Sequence, residues 1–501
     1  METEHKLRYK GKRWKIIYGK YEGPEAAGVN KVNAALQVFV PFTIEAAKAS
    51  PSEVPLSGAH VLLIGTRKNN GFIDGLAKKG LINLPGKPEG YTIKVMQNPE
   101  ARDDKLIIIA GEDANGVLYG AIDFCEKVLL NTYVPEDRAK LRECLDGIKF
   151  MELTDFPRVT NRGIWTWGYV IHDYKAFFEN MARLKMNMVV IWNDEPPINA
   201  REMIDYAHNL GIKIIFGFPW GWGFKVALNE AADRAALRKI VVREFRSKYA
   251  KLGLDGLYFQ TVTETHEKLL AGKPIAYWAT RLVNEISKEI FKIDPKLYLL
   301  FGLHAISVQE NFNELKKLDP RVTIMWEDAG MIPFDYNPVS TVEEFHDWSG
   351  GKKAIRLVDN AEKTLAYAKK IALVRGRKEF AMVPKGWICL DWLGEFEHHK
   401  DFVLGERRKE FIRDRLIKRQ PRWDKVNQMW YRKAGLAARF YREILKLNLP
   451  AVSAAALIED GMFEEKIQPS VYILGETLWN PNRTDAEILG AAYHADDRSR
   501  R

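Results

Sequence analysis

NRGIWTWG (residues 161–168), MNMVVIWNDE (186–195) and GIKIIFGFPWGWG (211–223) are the three stretches that decide the fold. Each is a short apolar run of β-branched and aromatic residues, the signature of a strand buried on both faces. Each is followed by an amphipathic stretch at helical spacing: YKAFFENMARLKM (174–186), INAREMIDYAHNL (198–210) and AADRAALRKIVVREFRSKYAKL (231–252). The rhythm continues through GLDGLYFQTVTE (253–264), LYLLFGLHA (297–305), RVTIMWEDAG (321–330) and EFAMVPKGW (379–387), and VYILGETLWNPN (471–482) is the expected eighth strand. Eight strands alternating with helices predict an α/β fold of the (β/α)₈ TIM-barrel kind. A doubly wound open sheet has fewer strands and wants a Gly-rich first turn, which this region lacks.

Outward from that core, the first 154 residues read differently. RWKIIYG (13–19), HVLLIGT (60–66), GYTIKVM (90–96) and KLIIIAG (105–111) predict strands, and the stretches after Pro24 and from Asp113 predict helices. The expectation is a small non-catalytic α/β sandwich domain over 1–154, followed by a barrel over 155–501 with a helical insertion at about 401–466. GTRKNNG (65–71) lacks the Gly spacing and Lys-Ser/Thr of a phosphate loop and predicts a plain turn.

Composition narrows the class. A chain of 501 residues with 46% hydrophobic and 28% charged residues has ample material for large cores and is not a disordered chain. The net charge is +10, and much of the basic excess sits in GERRKEFIRDRLIKRQPR (405–422), where interleaved acids at helical spacing predict an exposed helix face rather than a nucleic-acid surface. The three cysteines, Cys125, Cys144 and Cys389, are far apart and form no CxxC pair, so neither disulfides nor a zinc ribbon is expected. METEHKLRYKGKRWK (1–15) is charged where a secretion signal needs an apolar stretch. No apolar run reaches the ~20 residues of a membrane span. The expectation is a cytoplasmic protein with neither a membrane nor a nucleic-acid partner.

In such a barrel, chemistry comes from the C-terminal ends of the strands. There the sequence places Trp165 and Trp167; Trp192, Asn193, Asp194 and Glu195; Trp220 and Trp222; Gln260 and Glu264; His304; Trp326, Glu327 and Asp328; Lys385 and Trp387 with Asp391 beyond them. Seven of the fourteen tryptophans fall within a few residues of a strand end, which an apolar core alone does not require. A sugar ring packs its C–H face on an indole and presents hydroxyls to Asp, Glu, Asn, Gln and His. Hydrolysing a glycosidic bond takes two carboxyl groups, one protonated and one ionised. Glu264 closes an apolar strand, the setting in which a carboxyl stays protonated near neutrality, and is the expected acid. Glu327 or Asp328 is its expected partner, with Asp194, Glu195 and Asp391 as alternates. GEFEHHKD (394–401) and the ETHE from Glu264 lack HExxH spacing, so no metal and no cofactor is expected.

IIIAGEDANGVLYGAIDFCEKVL (107–129), DFPRVTNRGIW (155–165) and LWNPNRTDAEIL (478–489) resemble segments of two-domain glycoside hydrolases, the superfamily of the family 67 alpha-glucuronidases and, more distantly, the family 20 beta-hexosaminidases. The resemblance implies a non-catalytic α/β domain before a catalytic barrel, an oligosaccharide substrate and Glu264 at the strand-four acid position. Family 20 enzymes carry an adjacent Asp-Glu pair there, whereas here Thr263 precedes Glu264, so substrate-assisted chemistry does not carry over. Alpha-glucuronidases continue into a helical C-terminal domain, whereas this chain reaches HADDRSRR (494–501) soon after the expected eighth strand. On a uronic-acid-bearing substrate, Lys385 or a nearby Arg would pair with the sugar carboxylate. The reading from another class is a non-catalytic carbohydrate-binding or sensor protein on the same scaffold.

Overall fold

The structure is a computed structural model that describes residues 12–129, 145, 147–220, 226–260, 263–265, 267–327, 361–385, 387, 401–406, 408–458 and 463–499. The chain divides into two compact units, one of residues 1–157 with 208–211, the other of 158–207 with 212–501.

The first unit is built on a six-stranded sheet in the order β2-β1-β3-β5-β4-β6. Its strands are β1 (Trp14–Tyr18), β2 (Glu45–Lys48), β3 (His60–Thr66), β4 (Tyr91–Gln97), β5 (Lys105–Gly111) and β6 (Met151–Asp155), and its helices are α1 (Gly23–Gln37), α2 (Gly71–Lys78) and α3 (Ala114–Asp123). Strands β1, β2, β3 and β5 run parallel, while β4 pairs antiparallel with β5 and β6. The apolar runs HVLLIGT and LIIIAG are buried along their length because the sheet is covered on both faces. The GTRKNNG turn is a cap: Asn70 accepts from the backbone N–H groups of Phe72 and Ile73 at the start of α2, and Asn69 Oδ1 accepts from Thr66 N–H. The polar strand β2 and the alternating β6 carry weak strand signals and add to the four strands expected in this unit.

The second unit is a closed barrel of eight parallel strands. In chain order they are β7 (Asn161–Trp167), β8 (Met188–Trp192), β9 (Lys213–Gly217), β10 (Gly256–Gln260), β11 (Tyr298–Leu303), β12 (Val322–Trp326), β13 (Phe380–Met382) and β14 (Val452–Leu457). The major helices between them are α4 (Tyr174–Arg183), α5 (Ala200–Asn209), α6 (Ala231–Glu244), α7 (Ile275–Ile293), α8 (Ala361–Leu373) and α9 (Lys409–Leu445). Residues 453–457 of β14 pair with 161–165 of β7 and close the ring.

Two expectations are corrected here. The eighth strand is VSAAAL, not VYILGETLWNPN; the latter forms α10 (Pro469–Trp479), with Pro469 in the first turn where its missing N–H costs nothing. An apolar run buried all round has no amphipathic period, so pattern alone does not separate strand from helix, and the short alanine-rich β14 lacks β-branched residues apart from Val452. It follows that the helical segment at 401–466 is no insertion. Its 37-residue α9 is the regular crossover from β13 to β14, and it buries Trp423, Val426, Trp430, Ala434, Ala437, Tyr441 and Ile444 at helical spacing. In the basic stretch, Arg413, Ile417 and Lys418 are exposed while Arg419 is buried. The chain closes in α11 (Asp485–Ser499).

Inside the barrel, Trp165, Met188, Val190, Trp192, Ile215, Tyr258, Leu300, Met325, Ala381, Ala455 and Leu457 form one apolar cluster. Below it, at the N-terminal ends of the strands, Glu379 gathers Thr323 Oγ1 (3.0 Å), Ser453 Oγ (2.5 Å) and the Tyr298 hydroxyl, while Asn161 bonds Ser453 and Lys213. Burial, followed by the charge of Glu379, holds the Tyr298 hydroxyl well above its ordinary value, so it remains a donor. That end of the barrel is filled by these bonded side chains. Among the described residues no helix is long and apolar enough to cross a membrane.

Candidate active site

Strands β10, β11 and β12 bring four side chains, Gln260, Glu264, His304 and Glu327, together at their C-terminal ends. Gln260, the last residue of β10, donates its two amide protons to two carboxylates, Glu264 Oε2 at 3.0 Å and Glu327 Oε2 at 3.1 Å. Those oxygens can therefore lie no farther apart than the two bonds laid end to end, about 6 Å. Glu327 directly succeeds β12; its backbone N–H continues the ladder to Leu303 O at 3.0 Å and its side chain is buried. The absence of a side chain at Gly302 makes room for it, since a Cβ there would come within 2.7 Å of Glu327 Oε1 and would also strike the Tyr258 hydroxyl.

His304, just past β11, is 4% exposed and places Nε2 2.8 Å from Glu327 Oε2. Burial first, and the Lys385 cation second, hold the ring well below its ordinary value, so it is neutral at pH 7. Lys385, beyond β13, lies 3.7 Å from Glu327 Oε2. An amide N–H, an imidazole and, at the longer range of an ion pair, an ammonium thus converge on one carboxylate oxygen, an arrangement that suits the ionised carboxylate. Glu264 is half-buried.

The tryptophans divide into an inner set and an outer set. Trp165 and Trp192 point into the barrel and stack at 6.3 Å and 22°, Trp167 meets both edge-on, and Tyr258 packs against Trp165 and Trp192 at 5.9 and 6.0 Å. Trp167 alone of the three indoles is only partly buried, so it is the one available as a platform. Trp220, Trp326 and Trp387 are not brought to the rim. All three are fully buried in the layer between strands and helices, against Phe259 (3.9 Å), Tyr367 (5.2 Å) and Trp430 (4.8 Å). Side chains on a strand alternate between faces, so Trp326, next to the inward-facing Met325, takes the outer face, while Trp220 and Trp387 lie beyond the ends of their strands.

Asp194 and Glu195 are also directed elsewhere. Glu195 pairs with Lys248 at 2.6 Å, and both acids line a cavity of about 570 Å³ with Phe218, Val241 and Tyr249, whose walls include none of Gln260, Glu264, His304 or Glu327. Asn193 is buried beside Gly168. Trp222, Asp328 and Asp391 lie outside the described residues. The residues missed from sequence were Tyr258 and Gly302. Tyr258 carries a readable signal, standing two positions before Gln260 and so on the same face, whereas nothing local marks Gly302. No group of His, Cys, Asp and Glu among the described residues is arranged to hold a metal ion.

No family model matches the chain, and no curated protein does. Among solved structures it is similar to a beta-N-acetylhexosaminidase from Bacteroides fragilis, at 14% identity over 95% of this chain and 89% of that one, with a TM-score of 0.46. It is also similar to a GH20 exo-beta-N-acetylglucosaminidase from Vibrio harveyi, at 11% identity over 98% of this chain and 74% of that one, with a TM-score of 0.48.

Proposed function

We propose that the barrel is a glycoside hydrolase acting on oligosaccharides, with Glu264 as general acid and Glu327 as the partner carboxylate. The observation that carries this reading is the Gln260 amide, which spans the two carboxylates and keeps their facing oxygens within about 6 Å. A spacing of about 5–5.5 Å belongs to retaining enzymes and about 6.5–9.5 Å to inverting ones, so the bridge favours retention. Glu264 would protonate the leaving oxygen while Glu327 attacks the anomeric carbon. Glu264, now ionised, would then take a proton from the water that releases the sugar. Trp167 offers the platform for the ring. Lys385 already faces Glu327, and a uronate would compete with that carboxylate for the same cation, so a neutral sugar suits the site better.

The test is a screen of aryl glycosides of both anomers, glucuronides included, followed by product stereochemistry. Glu264→Gln is expected to abolish turnover of alkyl glycosides while ligand binding persists. The binding-protein reading draws on one observation, that Trp220, Trp326 and Trp387 are core residues and not a sugar-lined rim. Saturable sugar binding without turnover by the wild-type protein would establish it in place of the hydrolase.

A further inference from the structure

The residue before the acid has a partner that neither the acid nor a substrate accounts for. Thr263 is fully buried. Its Oγ1 accepts from the backbone N–H of His304 at 3.3 Å, and its proton has two acceptors in range, His304 Nδ1 and Gly302 O, both at 3.4 Å. Its carbonyl accepts from Ser307 Oγ at 2.5 Å, which ties the β10 end to the turn after β11.

Proton accounting assigns the rest. The two amide protons of Gln260 go to Glu264 and Glu327, so the amide has none for His304 although its Nε2 lies 3.3 Å from the ring's Nε2. A bare Nε2 lone pair 2.8 Å from Glu327 Oε2 would set two acceptors against each other. The proton therefore sits on Nε2, and Nδ1, left bare, takes the hydroxyl proton of Thr263. We propose that His304 is a positioning residue that donates through Nε2–H to Glu327, with its tautomer set by Thr263, so that Thr263–His304–Glu327 links the strand that carries the acid to the carboxylate that opposes it. On this assignment His304 does not touch the sugar. Thr263 thereby orients the protein's own carboxylate through His304.

The catalytic part of this proposal rests on the hydrolase reading, and the experiment separates the two. In the full chain, His304→Ala is expected to lower kcat on the order of ten- to a hundredfold with KM little changed. The loss should be equal on dinitrophenyl and methyl glycosides of the same sugar, because a good leaving group relieves the acid but not its partner. The acid limb of the pH profile of kcat/KM should move to higher pH, since Glu327 loses a donor that favours its charged form. His304→Gln, whose amide N–H can reach the same carboxylate, should recover part of the rate, and Thr263→Val should shift the limb in the same direction by less. A loss confined to the methyl glycoside, or an unmoved acid limb, would overturn the assignment. Nitrogen NMR of His304 adds a readout independent of turnover: a neutral ring protonated on Nε2 is expected, and an imidazolium or an Nδ1–H tautomer refutes the proposal. A wild-type protein inert on every glycoside but showing the Nε2–H ring would refute the hydrolase reading while leaving the Thr263–His304–Glu327 linkage in place.

Discussion

Gly302 carries as much of the candidate site as the acids do. The Glu327 carboxylate lies over it, and a methyl group there would meet both that carboxylate and the Tyr258 hydroxyl. Gly302→Ala is expected to cut kcat on the order of a hundredfold while the variant still folds, because displacing a carboxylate by ~1 Å is enough to spoil its geometry. Activity assays paired with a thermal melt check this, and full activity in the variant would remove Glu327 from the mechanism. The tryptophans give a second comparison at the same scale. Trp326→Ala empties a site in the outer layer and should cost about 3–5 kcal/mol, whereas Trp167→Ala, half-open at the mouth, should cost less stability and raise KM. Denaturant unfolding and steady-state kinetics on the two variants would show opposite patterns. From sequence the two residues are alike, both tryptophans closing a strand; only the parity of the strand tells them apart.

Among the elements, the turn after β7 is held to the segment before α10. His172 is buried between Glu464, whose carboxylate lies 3.3 Å from Nδ1 and accepts from the His172 backbone N–H at 2.9 Å, and Glu465, 3.0 Å from Nε2. Asn180 of α4 adds bonds to the carbonyls of Phe463 and Glu464. Burial pulls the imidazolium down, but the two carboxylates together outweigh it and leave the pKa above its ordinary value. A raised folded-state pKa gives stability that is fully present below the unfolded value of about 6.5 and is lost as pH rises through the folded value. His172→Gln should therefore fall furthest below wild type in Tm at about pH 5–6 and approach it at about pH 9, and a gap that is constant with pH would exclude a charged His172. This pair is invisible in sequence because nearly 300 residues separate its members and neither stands in a motif.

Closure governs the whole molecule. A parallel barrel must return its last strand to its first, and here the last strand is VSAAAL, whose Ala454, Ala455 and Ala456 are fully buried. Of these, Ala455 faces the interior, where a small residue suits a wall that shares its cluster with Trp165 on the adjoining strand and with Trp192. Ala455→Leu should overpack that interior and cost about 1–3 kcal/mol, read as a lower denaturation midpoint with the slope unchanged; a neutral result would mean that the interior has slack. By itself the sequence determined the alternation of strand and helix and seven of the eight barrel strands, and it offered Glu264, with Glu327 or Asp328, as candidates at the strand ends. These are local matters, written in the spacing of apolar residues and in the polar residues that close each run. Only the tertiary structure decided that β14 and not the 471–482 run completes the ring, that three tryptophans belong to the outer layer, that Glu195 turns to Lys248, and that Gln260 and His304 meet on Glu327. Those outcomes depend on which strand lies beside which and on the face each residue presents, quantities that exist only once the ring has closed.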